Sequence, residues 1–170
     1  MKFNCQDFQE NYRDCINCSE GKLIVCSEGK LIVAEENKRK YILQNPSKKK
    51  VCKVKIDGCV IPSQSQRKCD YLMIVCESKS ANEQEADIYF IELKGRDLIS
   101  AVEQLTQTIT YFQAEKYKFT GKVFARVVLS KVADPKSIEV DSRVITLRKL
   151  LKKFGGDFAY GSVQLERDRI

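Results

Sequence analysis

Two stretches of this chain are apolar on both parities: Cys69 to Cys76, CDYLMIVC, in which Asp70 is the one charged residue, and Asp87 to Lys94, DIYFIELK. A strand with one wet face alternates apolar and polar residues, so a run without that alternation reads as a central strand buried on both faces. At 170 residues the chain is long enough for one compact domain with a core of its own.

The neighbouring segments extend the sheet. Residues 51–56, VCKVKI, alternate: Cys52, Val54 and Ile56 point one way, Lys53 and Lys55 the other, toward a wet face. Asp57-Gly58 is a turn signal, and Cys59-Val60-Ile61 begins a return segment that Pro62 ends. Asp97 N-caps an amphipathic helix to about Lys116 whose buried face carries Leu98, Ala101, Val102, Leu105, Ile109 and Phe112. Residues 122–129, KVFARVVL, form a further strand. A second amphipathic helix over 142–154 ends at Gly155-Gly156, and the tail FAYGSVQLE adds a short strand.

Upstream, residues 34–44, AEENKRKYILQ, suit a helix, because good helix formers dominate and Glu35 and Glu36 fall in its first turn. A short helix is expected around Phe8 to Cys15. The octet CSEGKLIV occurs twice in tandem, at 18–25 and 26–33, which suits two short strands joined at Ser27 to Lys30 and reads as a local duplication without a function of its own. The order helix, three strands, helix, strand, helix predicts a mixed α/β fold. Short connections pair the first three strands antiparallel, and a crossover helix sets the fourth parallel to a neighbour. A single domain over 1–170 results, with an N-terminal extension (1–33), a core (34–132) and a C-terminal helix and strand (133–170).

The chain contains no histidine, which excludes a Ser-His-Asp triad, a Cys-His pair, a histidine base and a His-ligated zinc. Eight cysteines include one C-x-x-C pair, Cys15 and Cys18, without the second pair a zinc site wants; the others stand singly, mostly in apolar runs, and read as free thiols. The N-terminus is polar and mixed in charge, and no stretch has the apolar length of a membrane span, so a cytoplasmic protein without a membrane partner is expected. A net charge of +7 favours an anionic partner such as nucleic acid, or is a solvated basic surface.

Side chains two apart on a strand project to one side, so Glu92 and Lys94 share a face while Leu93 goes into the core. If the strands carrying Asp70 and Glu92 run antiparallel, the two carboxylates fall side by side. They would repel, and a magnesium or manganese ion with hard oxygen ligands resolves that conflict. Such an ion can activate a water and polarise a phosphoryl oxygen, while Lys94 adds positive charge where negative charge develops. The competing reading of Asp70, Glu92 and Lys94 is a buried salt-bridge network.

The segments KCDYLMIV and IYFIELKG, followed by the helix AVEQLTQTITYF, resemble the PD-(D/E)XK nuclease superfamily over roughly residues 35–130. The proline of that motif is replaced here by Cys69. The resemblance implies a restriction-endonuclease-like αβββαβ core, a mixed central sheet flanked by helices, and a metal-dependent nuclease with Mg²⁺ or Mn²⁺ as cofactor. It implies Asp70 and Glu92 as metal ligands together with the Leu93 carbonyl, and Lys94 as the catalytic lysine. Gln104, Gln107 and Tyr111 resemble the glutamine-containing helix motif of exonuclease-like members, with Gln104 near the reacting atoms, or they are a solvated helix flank. Glu35 or Glu36 stands where the family's first helix often donates a glutamate, or is only favourable charge at a helix start.

Lys48, Lys49 and Lys50, with Lys53 and Lys55, could contact phosphates, DNA more than RNA, as could Arg148, Lys149, Lys152 and Lys153; either group could equally be solubilising charge. A chain this short carries little beyond a catalytic core, so a homodimer or partner protein would supply specificity, as in a defence or repair system. The other function considered is a nuclease-like fold that holds nucleic acid or a protein without cutting.

Overall fold

A computed structural model describes residues 1–19, 21–76, 85–93, 95–132 and 134–170. In chain order the elements are α1 (Cys5–Asn11), α2 (Arg13–Ile16), β1 (Ile24–Ser27), β2 (Leu31–Glu36), β3 (Arg39–Gln44), β4 (Lys50–Lys55), β5 (Tyr71–Cys76), β6 (Asp87–Glu92), α3 (Leu98–Ala114), β7 (Val123–Leu129), α4 (Pro135–Glu139), α5 (Ser142–Lys152), β8 (Phe158–Ser162) and β9 (Gln164–Arg169). The fold is mixed α/β. A six-stranded mixed sheet has the order β1-β4-β5-β6-β7-β8, and a three-stranded sheet has the order β2-β3-β9.

The doubly apolar runs become the antiparallel neighbours β5 and β6 near the middle of the large sheet. Period-two alternation divides their side chains between two cores. Leu72, Ile74, Ile88 and Phe90 face the helices, where they meet Phe3 and Phe8 at the N-terminus, Leu105 and Phe112 of α3, and Leu147 and Leu151 of α5. Met73, Val75, Tyr89 and Ile91 face the other way, against Ile32, Ala34, Tyr41 and Leu43 of the small sheet. After α3 crosses over, β7 lies parallel to β6, and after α5, β8 lies parallel to β7. The first residues are not an appendage: Phe3 and Phe8 are fully buried, and the Phe3 N–H donates to the Lys118 carbonyl.

Four expectations are corrected. Residues 34–44 are not a helix but most of an antiparallel hairpin, β2–β3, in register from Leu31↔Gln44 to Glu36↔Arg39. Its two-residue turn, Asn37-Lys38, has φ of 49° and 63°, the left-handed pair of a type I′ turn. Helix propensity loses because period two buries Ile32, Ala34, Tyr41 and Leu43 on the large sheet. Lys38 has a Cβ in a region that favours glycine, so Lys38→Gly is expected to raise stability by about 1 kcal/mol, read as a higher thermal midpoint; a lower one would show that the turn tolerates lysine without cost.

The two octet copies do not pair with each other. Ile24 and Val25 of the first enter β1 and pair with β4, whereas Leu31 to Val33 of the second enter β2 and pair with β3. The outer face of β4 is not wet at Lys53, whose Nζ donates to the Val33 carbonyl at 2.9 Å and ties the two sheets together. Finally, six cysteines are disulfide-bonded rather than free: Cys5–Cys76, Cys15–Cys59 and Cys26–Cys52. Separations of 71, 44 and 26 residues give no sequence-level sign of these pairs. Cys18 and Cys69 remain thiols. Disulfides persist where the surroundings are oxidising, which the reading of a cytoplasmic chain of free thiols had not anticipated. Among the described residues no helix is long and apolar enough to cross a membrane.

Candidate active site

Because β5 and β6 are antiparallel with Tyr71 opposite Ile91, the residue before β5 lies opposite the residue that ends β6. Asp70 and Glu92 therefore meet, and each is fixed through the other's strand. The Asp70 N–H donates to Glu92 Oε2 at 3.0 Å, and the Leu93 N–H donates to Asp70 Oδ2 at 2.8 Å. The Asp70 carbonyl in turn accepts from the Ile56 N–H at 3.1 Å, pinning the corner to the end of β4. Glu92 is 2% exposed and Asp70 is partly exposed, so the pair runs from the core to the surface. Leu93 is buried in the core shared with the small sheet, on the face opposite Phe90, as the alternation requires. Lys94 lies outside the described residues.

Helix α3 braces the same corner. Thr108 is fully buried, its Oγ1 accepts from the Cys69 N–H at 2.8 Å, and Gln104 Nε2 donates to the Lys68 carbonyl at 3.1 Å. Asp70 and Gln104 line one open cleft of about 270 Å³ with Asp57, Gln66, Arg67 and Lys68. Gln107 and Tyr111 are not there. Gln107 is exposed and faces Arg143 and Thr146 of α5 across a separate cleft. Tyr111 is two turns further along the helix, about 10 Å at 1.5 Å per residue, and its ring packs on Phe112. Thr108, one turn after Gln104 on nearly the same face, takes the place that sequence reasoning gave to them.

The hairpin that sequence reasoning had assigned to a helix packs on the opposite face of the large sheet from α3. Glu35 is exposed and pairs with Lys40 at 3.8 Å, away from the carboxylates. Glu36, at the turn end of β2, lies close enough to Tyr71 that its charge raises the phenol's pKa. Burial is the larger cause, and Asp70 adds to it. Arg39, at the start of β3, points its Nε at the Leu93 carbonyl, 3.4 Å away. Neither its turn nor its reach was visible while 34–44 read as a helix.

Charge around the cleft is largely paired. Lys68 Nζ binds Asp57 at 2.9 Å and the carbonyls of Ile61 and Ser63, and that hydrogen bond holds the Asp57 carboxyl below the usual carboxylate range. Arg67 pairs with Glu103 of α3. The Cys69 thiol is buried between these groups. Burial, with the Glu92 carboxylate adding to it, pushes its pKa up and keeps it a neutral thiol rather than a nucleophile. Lys48, Lys49 and Lys50 sit at the other end of the sheet. Lys50 is opposite Cys76 and Lys55 is opposite Tyr71, so about 17 Å of strand separates the lysine run from the carboxylates. On α5, Arg148 turns back to Glu139 at 2.9 Å and to the Phe158 carbonyl.

By chemistry alone, the Asp70 and Glu92 carboxylates are hard oxygen donors of the kind Mg²⁺ or Mn²⁺ prefers over a soft thiophilic metal, while the Leu93 carbonyl already accepts from Arg39 Nε. Comparison with known proteins finds no family model, no curated protein and no solved structure that matches this chain.

Proposed function

We propose that this protein is a metal-dependent nuclease of the PD-(D/E)XK type, acting on nucleic-acid phosphodiester bonds at the Asp70–Glu92 corner. The observation that carries the reading is the reciprocal bracing of Asp70 and Glu92 at the junction of β5 and β6. Two carboxylates braced by backbone N–H groups, with Asp70 lining a polar cleft and Glu92 buried behind it, are an arrangement a divalent cation stabilises. Asp70, Glu92 and the Leu93 carbonyl would hold that cation, which when bound activates a water and neutralises charge on a phosphoryl oxygen. The chain's own contribution is positional. Thr108 and Gln104 fix the backbone that carries Asp70, so the carboxylate does not have to be ordered during the reaction. Lys94, two residues beyond Glu92, is assigned the charge-stabilising role on the family resemblance. Arg67 and Lys68 line the approach, and a phosphate chain would have to compete there with their partners Glu103 and Asp57.

The test is incubation of the purified protein with supercoiled plasmid, linear duplex, single-stranded DNA and RNA, each with Mg²⁺, Mn²⁺ or EDTA. Cutting that needs the metal and stops in EDTA is expected, with DNA preferred. No cutting of any substrate under any condition overturns the reading. A second reading, a module that binds nucleic acid without cutting, draws on Arg39, whose guanidinium is set against the Leu93 carbonyl that a metal would use. It predicts gel retardation of the same substrates with no products.

A further inference from the structure

Four of the six bonded cysteines form one sulfur knot at the far end of the large sheet from Asp70. Cys26 on β1 is directly opposite Cys52 on β4, with Cα atoms 3.9 Å apart. Cys76 ends β5 on the same face, and Cys5 comes down onto it from α1. The two disulfides touch: Cys52 Sγ is 3.7 Å from Cys76 Sγ. The sulfurs of Cys5, Cys52 and Cys76 all lie within 4.8 Å of one another, and Cys26 is bonded to one of them. Cys5 and Cys52 are buried, and Cys26 and Cys76 are partly so. A cleft of about 350 Å³, lined by Cys5 and Cys76 with Gln9, Glu10, Lys50 and Glu85, lies beside the knot.

We propose that, when its disulfides are reduced, this protein binds one zinc ion through Cys5, Cys26, Cys52 and Cys76, so that the knot alternates between two disulfides and a tetrathiolate metal site. A tetrahedral zinc with Zn–S bonds of about 2.3 Å sets its sulfurs about 3.8 Å apart, and the Cys52–Cys76 contact already has that length. The two bonded pairs have to part to that same edge, and Cys26, which stands outside the close trio of Cys5, Cys52 and Cys76, has to swing toward the other disulfide. They come from four separate elements of one fold, so the folded chain gathers the ligands before the metal arrives. All four positions are filled by protein, which makes the site structural rather than catalytic. The balance is simple. A dithiol reductant gives each disulfide two electrons and two protons and is itself oxidised to a disulfide. The four thiols then lose four protons to solvent as four S–Zn bonds form. Lys50, Glu10 and Glu85 are the charged residues that line the cleft beside the knot. The sequence hid the site because the ligands stand 21, 26 and 24 residues apart, by subtraction of 5, 26, 52 and 76, with no C-x-x-C among them.

The inference is independent of the nuclease reading, since the knot and the carboxylates lie at opposite ends of β5, about 20 Å apart. The test is anaerobic reduction of the full chain with a water-soluble phosphine, followed by titration with Co²⁺ as a spectroscopic stand-in and back-titration with Zn²⁺. One cobalt per chain is expected, with the intense sulfur-to-cobalt charge transfer and tetrahedral ligand-field bands of four thiolates, bleached by one zinc. Cys26→Ser and Cys76→Ser are each expected to weaken binding by at least about 100-fold, beyond the range for outer-shell changes. Cys18→Ser, Cys69→Ser and the Cys15→Ser/Cys59→Ser pair should leave it unchanged. Cys76→His, which keeps four ligands, should retain a tetrahedral spectrum with weaker charge transfer. No cobalt uptake by the reduced chain overturns the proposal. So does uptake that ignores the knot variants, or uptake that falls equally with Cys18→Ser and Cys69→Ser, the mark of an unfolded thiol-rich chain.

Discussion

Replacing Arg126 with methionine is expected to cost about 3–5 kcal/mol of folding stability, the range for breaking one side of a buried ion pair. Arg126 is 1% exposed at the centre of β7, yet it makes four hydrogen bonds and a further ion pair. Nε and Nη2 bind Asp168 as a fork at 2.7 and 2.9 Å, and Nη2 also reaches Asp157 at 2.7 Å. Nη1 donates to the carbonyls of Ala125 and Asp157. The guanidinium lies over the rings of Phe124 and Tyr89, 5.1 and 5.9 Å from their centroids. Burial opposes its charge, but the bonds to Asp168 and the charge of Asp157 outweigh burial, and its pKa rises.

Methionine fills much of the volume and leaves the Asp168 carboxylate, nearly buried and bonded to the Tyr41 hydroxyl at 2.7 Å, without its cation. Burial pushes the Asp168 pKa up, while Arg126 and Tyr41 bring it below the usual carboxylate value overall. A depressed folded-state pKa stabilises above the unfolded value, roughly pH 4, and that contribution is lost as pH falls through the lower folded value. The wild type should therefore lose stability in acid where Arg126→Met does not. Urea melts at neutral and acid pH read both effects; a loss under about 1 kcal/mol would mean the pair is solvated rather than buried. Adding Asp168→Asn to the methionine variant should restore part of the loss, because it removes the orphaned charge.

The other large effect is catalytic. Asp70→Asn and Glu92→Gln are each expected to lower metal-dependent cleavage by at least about 10²–10³-fold, the scale on which one transition-state electrostatic group acts. These amides are chosen because the structural and chemical roles of the carboxylates separate there. An amide oxygen can still accept from the Leu93 N–H, or from the Asp70 N–H, so the corner between β5 and β6 keeps its shape. What is lost is negative charge for a cation. Circular dichroism should be unchanged while cleavage falls and the metal concentration needed for half-maximal rate rises. Unaltered cleavage by both variants would remove this corner from the chemistry altogether. Thr108→Val offers a contrast: it deletes a brace on the Cys69 N–H without touching charge, and should lower the rate less than either amide.

Much of the central fold was legible because its signals are local. Strands β4 to β7 and helices α3 and α5 lie within about two residues of their expected bounds, since a doubly apolar run or an amphipathic stripe of 17 residues reads without neighbours. That Asp70 and Glu92 lie side by side was legible for the same reason: antiparallel pairing of two adjacent strands settles who faces whom. The misses are all non-local. Residues 34–44 read as helix because the surface that buries Ala34, Tyr41 and Leu43, carried by Met73, Tyr89 and Val128, lies on distant strands. Arg39 was lost with that hairpin. The disulfides bridge segments whose proximity no spacing announces, and β9 runs parallel to β3 through a pairing that links the two ends of the fold. Lys53 and Lys48 to Lys50 were grouped by sequence adjacency, whereas a strand carries its residues apart by 3.3 Å each.

The duplicated octet sets a kinetic problem that the folded state conceals. The edge strand β1 reads Ile24-Val25-Cys26-Ser27, and eight residues earlier stands Ile16-Asn17-Cys18-Ser19. Eight is an even number, so sliding the chain by one repeat keeps every side chain on its own face and offers Cys52 a different thiol at the same station. A refolding chain thus carries its own decoy for the outer lane of the sheet, differing at one position, asparagine for valine. Once closed, the Cys26–Cys52 bond fixes that lane in its native register against β4 and leaves Cys18 a thiol.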